Sequence, residues 1–194
     1  MVGRNHVISN TCSVVTAACC LKCLEIQQNP IALTATAVAD FIKRFMFDSN
    51  VNIYASLVLS VFLFYTGTLL PDIDNEKSLL GRHIHLNVEH RTWTHTVWFV
   101  IMWSVIGYKF ILVRWLVLGY FLHLFWDSLS VGGICWLYPV TQYKYFGNSG
   151  AKIKKGHKIY IYRVGKTSET VLMVVLIITS LLSAGLCVYL SWFT

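Results

Sequence analysis

The stretch LLPDIDNEKSLLGRHIHLNVEHRTWTH, residues 69–95, decides the fold and lies between two strongly apolar runs. It carries two aspartates two residues apart, Asp72 and Asp74, and two histidines five residues apart, His90 and His95. Carboxylate and imidazole groups are common ligands of divalent metals. A polar segment that places several of them beside apolar runs therefore predicts a metal site at this point of the chain.

The composition indicates an integral membrane protein. Hydrophobic residues make up 56% of the 194-residue chain and charged residues 13%, whereas soluble domains average about 25% charged residues. The length suits a single domain, 1–194. The net charge of +7 is concentrated beside the apolar runs, so it indicates membrane orientation and makes nucleic acid an unlikely partner. The cysteines lie mostly in apolar runs and give no disulfide framework.

The apolar runs predict an all-α membrane protein with about five transmembrane helices. A helix of about 20 apolar residues crosses a layer of about 30 Å. The run 95–127 is divided near Lys109 into two helices that form a hairpin. Each arm is short for a full crossing, so a tilted or partly embedded hairpin is an alternative to two full spans. The other predicted spans are 7–24, 51–70 and 171–193.

Two further elements are predicted outside these spans. The segment 25–50 is amphipathic and predicts a helix that lies in the membrane interface. Aromatic and basic residues alternate in 143–163, and this alternation predicts a small surface β-hairpin between the last two helices.

The distribution of positive charge predicts the orientation. Seven Lys and Arg residues lie in 144–166, just before the last helix, and others lie in the central loop and ahead of the first helix. Because positive residues favour the cytoplasmic side, we expect a multi-pass protein whose N-terminus and two basic loops face the cytoplasm.

Alternating helices bring further polar side chains to the same membrane face as the central segment. His6 begins the first helix, and Glu169 begins the last. His123 and Asp127 are four residues apart near the end of the fourth helix, so they project from one side of it. A charged aspartate within such a helix costs up to a few kcal/mol, which indicates a partner or a function. The predicted metal ligands are therefore His6, Asp72, Asp74, His90, His95, His123, Asp127 and Glu169.

Three histidines and one cysteine pair are expected to take no part in the site. His83, His85 and His157 lie in polar loops beside basic residues, where solvated positions are expected. Cys20 and Cys23 form a single C-x-x-C within a predicted helix, without the second pair that a structural zinc site requires.

These motifs together resemble a known family. LPDID at 70–74, KSLLG at 77–81, HRTWTH at 90–95 and LGYFLHLFWD at 118–127 resemble the YdjM-like family of LexA-binding, inner-membrane-associated metal-dependent hydrolases. The resemblance extends from about residue 5 to about residue 175. It implies a metal-dependent hydrolase embedded in the inner (cytoplasmic) membrane.

The ligand chemistry and the depth of the cluster lead to a functional hypothesis. Carboxylate and imidazole ligands suit zinc or manganese, and this number of ligands could hold more than one ion. Paired metals favour phosphoester hydrolysis, and a site at the headgroup level beside basic residues could accept an anionic lipid. We therefore predict a phosphoesterase that acts on a phospholipid or other amphiphilic phosphorylated substrate at the cytoplasmic face. Asp74 and His95 are the candidate catalytic residues, with Arg91 binding the phosphate.

Two other classes of function stay open at this point. In a membrane adaptor, the metal would be structural and the basic loop would bind a cytoplasmic partner such as a LexA-type repressor, as the resemblance implies. In an ion or metal transporter, the same ionisable groups would carry protons or ions across the bilayer. A transporter needs polar groups near the midplane and on both sides, whereas the predicted ligands cluster at one face.

Overall fold

A computed structural model of the chain describes residues 3–26, 53–84, 90–141 and 161–193. Over these ranges the protein is mostly helical, and its helices begin and end close to the predicted positions. A 3₁₀ helix, Leu70–Asp74, follows the second α-helix directly. The α-helices of the described residues are α1 (Gly3–Ile26), α2 (Ile53–Leu69), α3 (Val97–Lys109), α4 (Val113–Ser128) and α5 (Thr167–Phe193).

In the described part of the chain, two helices rather than the predicted five are long and apolar enough to cross a membrane. These candidate spans are Tyr54–Asp74 and Thr167–Trp192. The helices α3 and α4 have 13 and 16 residues, so at about 1.5 Å per residue they are roughly 20–24 Å long. That length is below the layer of about 30 Å that a spanning helix must cross. The helix α1 has 24 residues but carries polar residues such as Asn5 and Asn10.

Two predicted elements lie wholly or largely outside the described residues. The interfacial helix predicted for 25–50 falls almost entirely within the gap after Ile26, and most of the β-hairpin predicted for 143–163 falls within the gap 142–160. No strand occurs among the residues that the structure describes. Instead, Tyr162 forms an isolated parallel bridge with Ser130, which ties the chain just before α5 to the end of α4.

The helices α2 and α4 cross with their backbones in contact because each has a glycine at the crossing. A Cβ atom on Gly67 would lie 2.1 Å from a main-chain oxygen of α4, and one on Gly119 would lie 2.2 Å from a main-chain oxygen of α2. Small residues permit this close approach between membrane helices. Asn10 adds α1 to the crossing, because its side-chain amide donates to Thr68 Oγ1 at 3.1 Å and to the Gly119 carbonyl at 3.2 Å.

The buried apolar residues form small clusters at the end of the helices where the predicted ligands lie. One cluster contains Tyr120, Leu124 and Ile134, and the other contains Trp126 and Met173 together with Tyr162. The outer faces of α2 and α5, in contrast, expose large apolar side chains, as an environment of lipid allows. Exposed members include Tyr54, Val58, Phe62, Val171, Leu181, Leu182 and Trp192.

Candidate metal centre

The ends of several helices deliver carboxylates and imidazoles to one buried region. Pro71 has no N–H with which to continue an α-helix, and α2 gives way after Leu69 to the 3₁₀ helix in which Asp72 and Asp74 are buried. His123 and Asp127 lie on the last two turns of α4, and both are fully buried.

The loop that leads into α3 supplies His90 and His95. Between them, Arg91 has a φ of 66°, a left-handed conformation that costs a residue with a side chain about 1–3 kcal/mol. The Arg91 N–H donates to Asp74 Oδ2 at 3.2 Å, and the Thr94 hydroxyl donates to the same oxygen at 2.7 Å. The Asp74 carboxylate thus stabilises the turn that directs the loop histidines toward the aspartates.

Four fully or almost fully buried residues form the centre of the site: Asp72, His95, His123 and Asp127. Each offers one ligand atom, and these atoms all lie within 4.8 Å of one another. The Nε2 atom of His95 is 3.9 Å from Asp72 Oδ1 and 3.4 Å from Asp127 Oδ2. The Nε2 atom of His123 is 3.6 Å and 3.8 Å from the same two oxygens. The cluster could hold a metal ion.

The hydrogen bonding of the two central histidines fits this role. Among the described residues, neither His95 Nε2 nor His123 Nε2 has a hydrogen-bond partner, although both atoms are buried. The Nδ1 atom of His123 lies 2.7 Å from the Thr68 carbonyl oxygen, which can only accept, so Nδ1 carries the proton. The Nε2 lone pair of His123 then faces the two carboxylates, as in histidines that bind metals through one nitrogen and donate from the other.

A second group of potential ligands shares one member with the first. It contains Asp74, His90 and His95. The Nδ1 atom of His90 is 2.8 Å from Asp74 Oδ1, and its Nε2 atom is 4.0 Å from Asp72 Oδ1. With 34% of its side chain exposed, His90 is the most accessible histidine of the site. The Asp74 carboxylate therefore contacts the Nδ1 side of His90, while the Nε2 side of that ring turns toward Asp72.

The protonation of His95, which precedes α3, is set by two opposing effects. Burial lowers the pKa of this imidazole, but the adjacent Asp127 and Asp74 carboxylates outweigh burial, and the pKa rises to about 9. A histidine must be neutral to bind a metal. Binding at this position would therefore release a proton and become tighter as the pH rises toward 9.

The two predicted ligands nearest the chain termini have different surroundings. His6 is fully buried, its ring stacks on His123 with the centroids 3.7 Å apart, and its Nε2 atom is 3.2 Å from Asp127 Oδ1. Glu169 is buried, but it belongs to neither ligand group of the described residues. Its carboxylate accepts from Asn5 Nδ2 at 2.9 Å and from the Gly165 N–H at 2.6 Å. The structure thus brings His6 to the cluster and places Glu169 where it joins the start of α5 to α1.

The Arg91 guanidinium is turned toward the cluster. Its Nη2 atom donates to Asp127 Oδ1 at 2.9 Å, and its Nη1 atom donates to Ser130 Oγ at 3.1 Å. The side chain passes close to Gly132, where a Cβ would lie 2.3 Å from Arg91 Nη1, so a larger residue there would make the guanidinium shift. Arg91 therefore holds the Asp127 carboxylate in position.

Several residues that support the site escaped the sequence analysis, although their spacing gives a signal. Asn10 lies four residues after His6 in α1, so it is on the same helix face as that predicted ligand, and Thr68 lies in the last turn of α2, just before the segment that holds Asp72. Ser130 and Thr94 could not be found this way, because they belong to loops whose path depends on the fold. Of the histidines expected to be solvated, His83 is exposed as predicted, and residues 85 and 157 lie outside the described ranges.

Taken with the fold, this geometry defines a class: helical, apolar proteins with a buried Asp/His cluster, able to hold a metal, at one end of their helices. The chain belongs to the YdjM inner membrane protein family, whose family model matches residues 1–192. No curated protein and no solved structure matches it. The family resemblance seen in the motifs is therefore confirmed.

Proposed function

We propose that the protein is a membrane-embedded, metal-dependent hydrolase, and that it acts as a phosphoesterase on an amphiphilic phosphorylated substrate at the cytoplasmic membrane face. One observation carries this proposal. Asp72, one of the four central residues, lines a pocket of about 630 Å³ together with His90 and Arg91. A metal cluster that opens to a pocket of this size has room for a reacting group beside it.

The composition of the cluster supports a catalytic metal. Two carboxylates and two imidazoles suit zinc or manganese, whereas calcium prefers oxygen ligands alone. Asp72, His95, His123 and Asp127 would hold the first ion, with His6 and His90 close enough in the structure to extend the set. When bound, such ions supply an activated water molecule and stabilise charge on phosphate oxygens.

The protein residues around the cluster would orient its ligands. The Asp74 carboxylate and the Thr68 carbonyl contact the outer nitrogens of His90 and His123 at 2.8 and 2.7 Å. Outer contacts of this kind fix the ring orientation and the tautomer of a ligand histidine. Arg91 offsets the charge of Asp127 inside the site. These roles require only contacts that the structure already contains.

The position of the site favours an amphiphilic substrate. The cluster lies at the end of α2, a candidate span, and at the start of α5, the other candidate span. A headgroup in the pocket would leave its acyl chains beside the exposed apolar faces of these helices. Because positive residues are concentrated at the end of the helices that carries the cluster, the positive-inside tendency directs this end to the cytoplasm. The helices α3 and α4 would form a partly embedded hairpin.

The proposal is tested with the full-length protein in detergent. Elemental analysis should find zinc or manganese, and mixed micelles of phospholipids and other phosphorylated amphiphiles provide the panel of substrates. We expect phosphoester hydrolysis that is lost on chelation and restored by the added metal. Asp127→Asn, which keeps the shape of the side chain but removes its charge, provides the background rate.

Metal-loaded protein that hydrolyses no member of the panel faster than Asp127→Asn would contradict the proposal. The adaptor hypothesis would then gain weight, because it needs the metal only for structure.

A further inference from the structure

The pocket beside the ligand cluster is lined by three positive side chains, two of which have no role in the proposed catalysis. Its lining includes Lys77, Arg91 and Arg163. These residues come from three separate segments: the loop after α2, the loop before α3, and the chain just before α5. Three cations converge on one opening beside a buried group of carboxylates.

Arg91 differs from the other two cations because its charge is already engaged. Its guanidinium forms an ion pair with Asp127 at 2.9 Å, and only 13% of its side chain is exposed. Its second terminal nitrogen donates to Ser130 Oγ. A substrate phosphate would have to compete with a buried carboxylate for this side chain, so Arg91 is better suited to hold Asp127 than to bind substrate.

Lys77 and Arg163, in contrast, keep their charges available. Both are exposed, and within the described ranges neither side-chain cation makes a hydrogen bond or a salt bridge. Their backbones are nevertheless held in place. The Lys77 N–H donates to Asn75 Oδ1 at 3.1 Å, and the Arg163 N–H donates to Ser168 Oγ at 2.9 Å. The two residues are therefore cations with a fixed backbone and, among the residues that the structure describes, without a counter-charge.

We propose that Lys77 and Arg163 form a subsite for a phosphate group with a net negative charge, as on a lipid phosphomonoester. This inference rests on the proposed function and specifies its substrate class. A phosphomonoester carries about −1.5 to −2 charges near neutral pH, which two cations can balance. A zwitterionic headgroup such as phosphocholine would bring a third positive charge to the same opening. The subsite therefore selects anionic headgroups and offsets their repulsion by the carboxylates of the cluster.

Equilibrium binding tests the subsite without requiring turnover. Full-length, metal-loaded protein in non-ionic detergent is titrated with short-chain phosphatidic acid, with its phosphatidylcholine counterpart and with inorganic phosphate. The test variant is Lys77→Gln/Arg163→Gln. The matched control is Arg82→Gln/Lys109→Gln, which also removes one Lys and one Arg, both exposed and outside the pocket lining.

We expect the test variant to bind phosphatidic acid about tenfold more weakly, as the loss of two exposed charge contacts implies. Its metal content and its weak binding of phosphatidylcholine should stay those of the wild type, and the control should bind like the wild type. High salt should weaken phosphatidic acid binding to the wild type more than to the test variant. Competition by inorganic phosphate would show that the phosphate group is sufficient, and its absence would show that the lipid is also needed.

Two results would overturn the subsite: equal phosphatidic acid binding by the wild type and the test variant, or equal weakening in the test variant and the control. Failure of the proposed function is distinguishable from both. A wild type that binds phosphatidic acid through Lys77 and Arg163 but hydrolyses nothing would retain the subsite and remove the hydrolase. Metal-dependent hydrolysis whose rate changes neither with the headgroup charge nor with the Lys77 and Arg163 substitutions would retain the hydrolase and remove the subsite.

Discussion

The two ends of the α3–α4 hairpin both contain polar side chains within apolar surroundings, but they differ in how these groups are satisfied. At the tight turn between the helices, the Arg114 Nε atom donates to the Gly107 carbonyl at 2.9 Å, and an Nη atom reaches the Tyr108 carbonyl at 3.5 Å. These carbonyls belong to the last turn of α3, which lacks helical donors. At the other end, His95 Nε2 and His123 Nε2 are buried and have no hydrogen-bond partner among the described residues.

This difference separates a structural polar contact from a binding site. The arginine at the turn satisfies main-chain groups and needs no further partner. A buried polar atom that lacks a partner costs about 1–3 kcal/mol, and several such atoms in one place indicate a bound ion, ordered water or a catalytic role. We call the end of the hairpin that carries the cluster the open end. Its paired carboxylates and imidazoles are therefore expected to bind metal, while the turn is not.

The largest effect is expected from removing a central ligand. His123→Ala should weaken metal binding by more than the roughly 10–100-fold that loss of an outer contact causes. Elemental analysis after dialysis and a competition titration with a chelator measure this change. The control is His83→Ala, whose side chain is exposed and should leave the metal content unchanged. A full metal complement in His123→Ala would show that the open end is not the site.

A smaller loss is expected for Asp74→Asn. The Asp74 carboxylate contacts His90 Nδ1, the Thr94 hydroxyl and the Arg91 N–H, so it acts mainly by orienting the histidines. We expect metal affinity to fall about 10–100-fold, with full occupancy regained at a higher metal concentration. Asp72→Asn, in contrast, should not regain full occupancy. Identical titrations for the two variants would mean that Asp74 binds metal directly.

The sequence predicted the positions of the helices well, because these depend on local pattern, whereas the set of metal ligands stays a prediction. Apolar runs of sufficient length specify helices wherever they lie, and alternation of helix direction brings His6 to the same end as His123. Where one of these carboxylates and imidazoles is buried in apolar surroundings, its presence indicates a partner or a function. The number of spanning helices was wrong, because the mostly apolar run 95–127 is divided into α3 and α4, and this division leaves two short arms.

Roles within the site were harder to predict than membership in it. Arg91 looked like a phosphate ligand from its position between two histidines, but its guanidinium contacts Asp127, which lies 36 residues away in the chain. Such a contact depends on how the loop crosses the end of α4 and on the space that Gly132 leaves. Glu169 was placed at the correct end by topology, yet its hydrogen bonds to Asn5 and Gly165 depend on side-chain direction.

The helix crossing that supports the open end provides a prediction about stability. Gly119→Ala should destabilise the protein by about 1–3 kcal/mol, as overpacking does, because the added Cβ would meet the backbone of α2. Gly185→Ala is the matched control, since nothing lies within 4 Å of a Cβ there. Thermal unfolding in detergent, followed by circular dichroism, compares the two. Equal melting temperatures would show that α2 and α4 do not cross as closely as described.

The smallest effect is expected at the turn, where Arg114→Met removes the hydrogen bonds to the carbonyls of α3 but retains much of the apolar stem. Each lost bond should cost about 1 kcal/mol of stability, so the melting temperature should fall slightly while the metal affinity stays that of the wild type. Lys109→Met, at the exposed end of α3, is the control for loss of charge alone and should change neither quantity. If the metal affinity falls in Arg114→Met but stays unchanged in Lys109→Met, the turn and the cluster are coupled through α4. The division of the hairpin into a structural end and a binding end would then be incorrect.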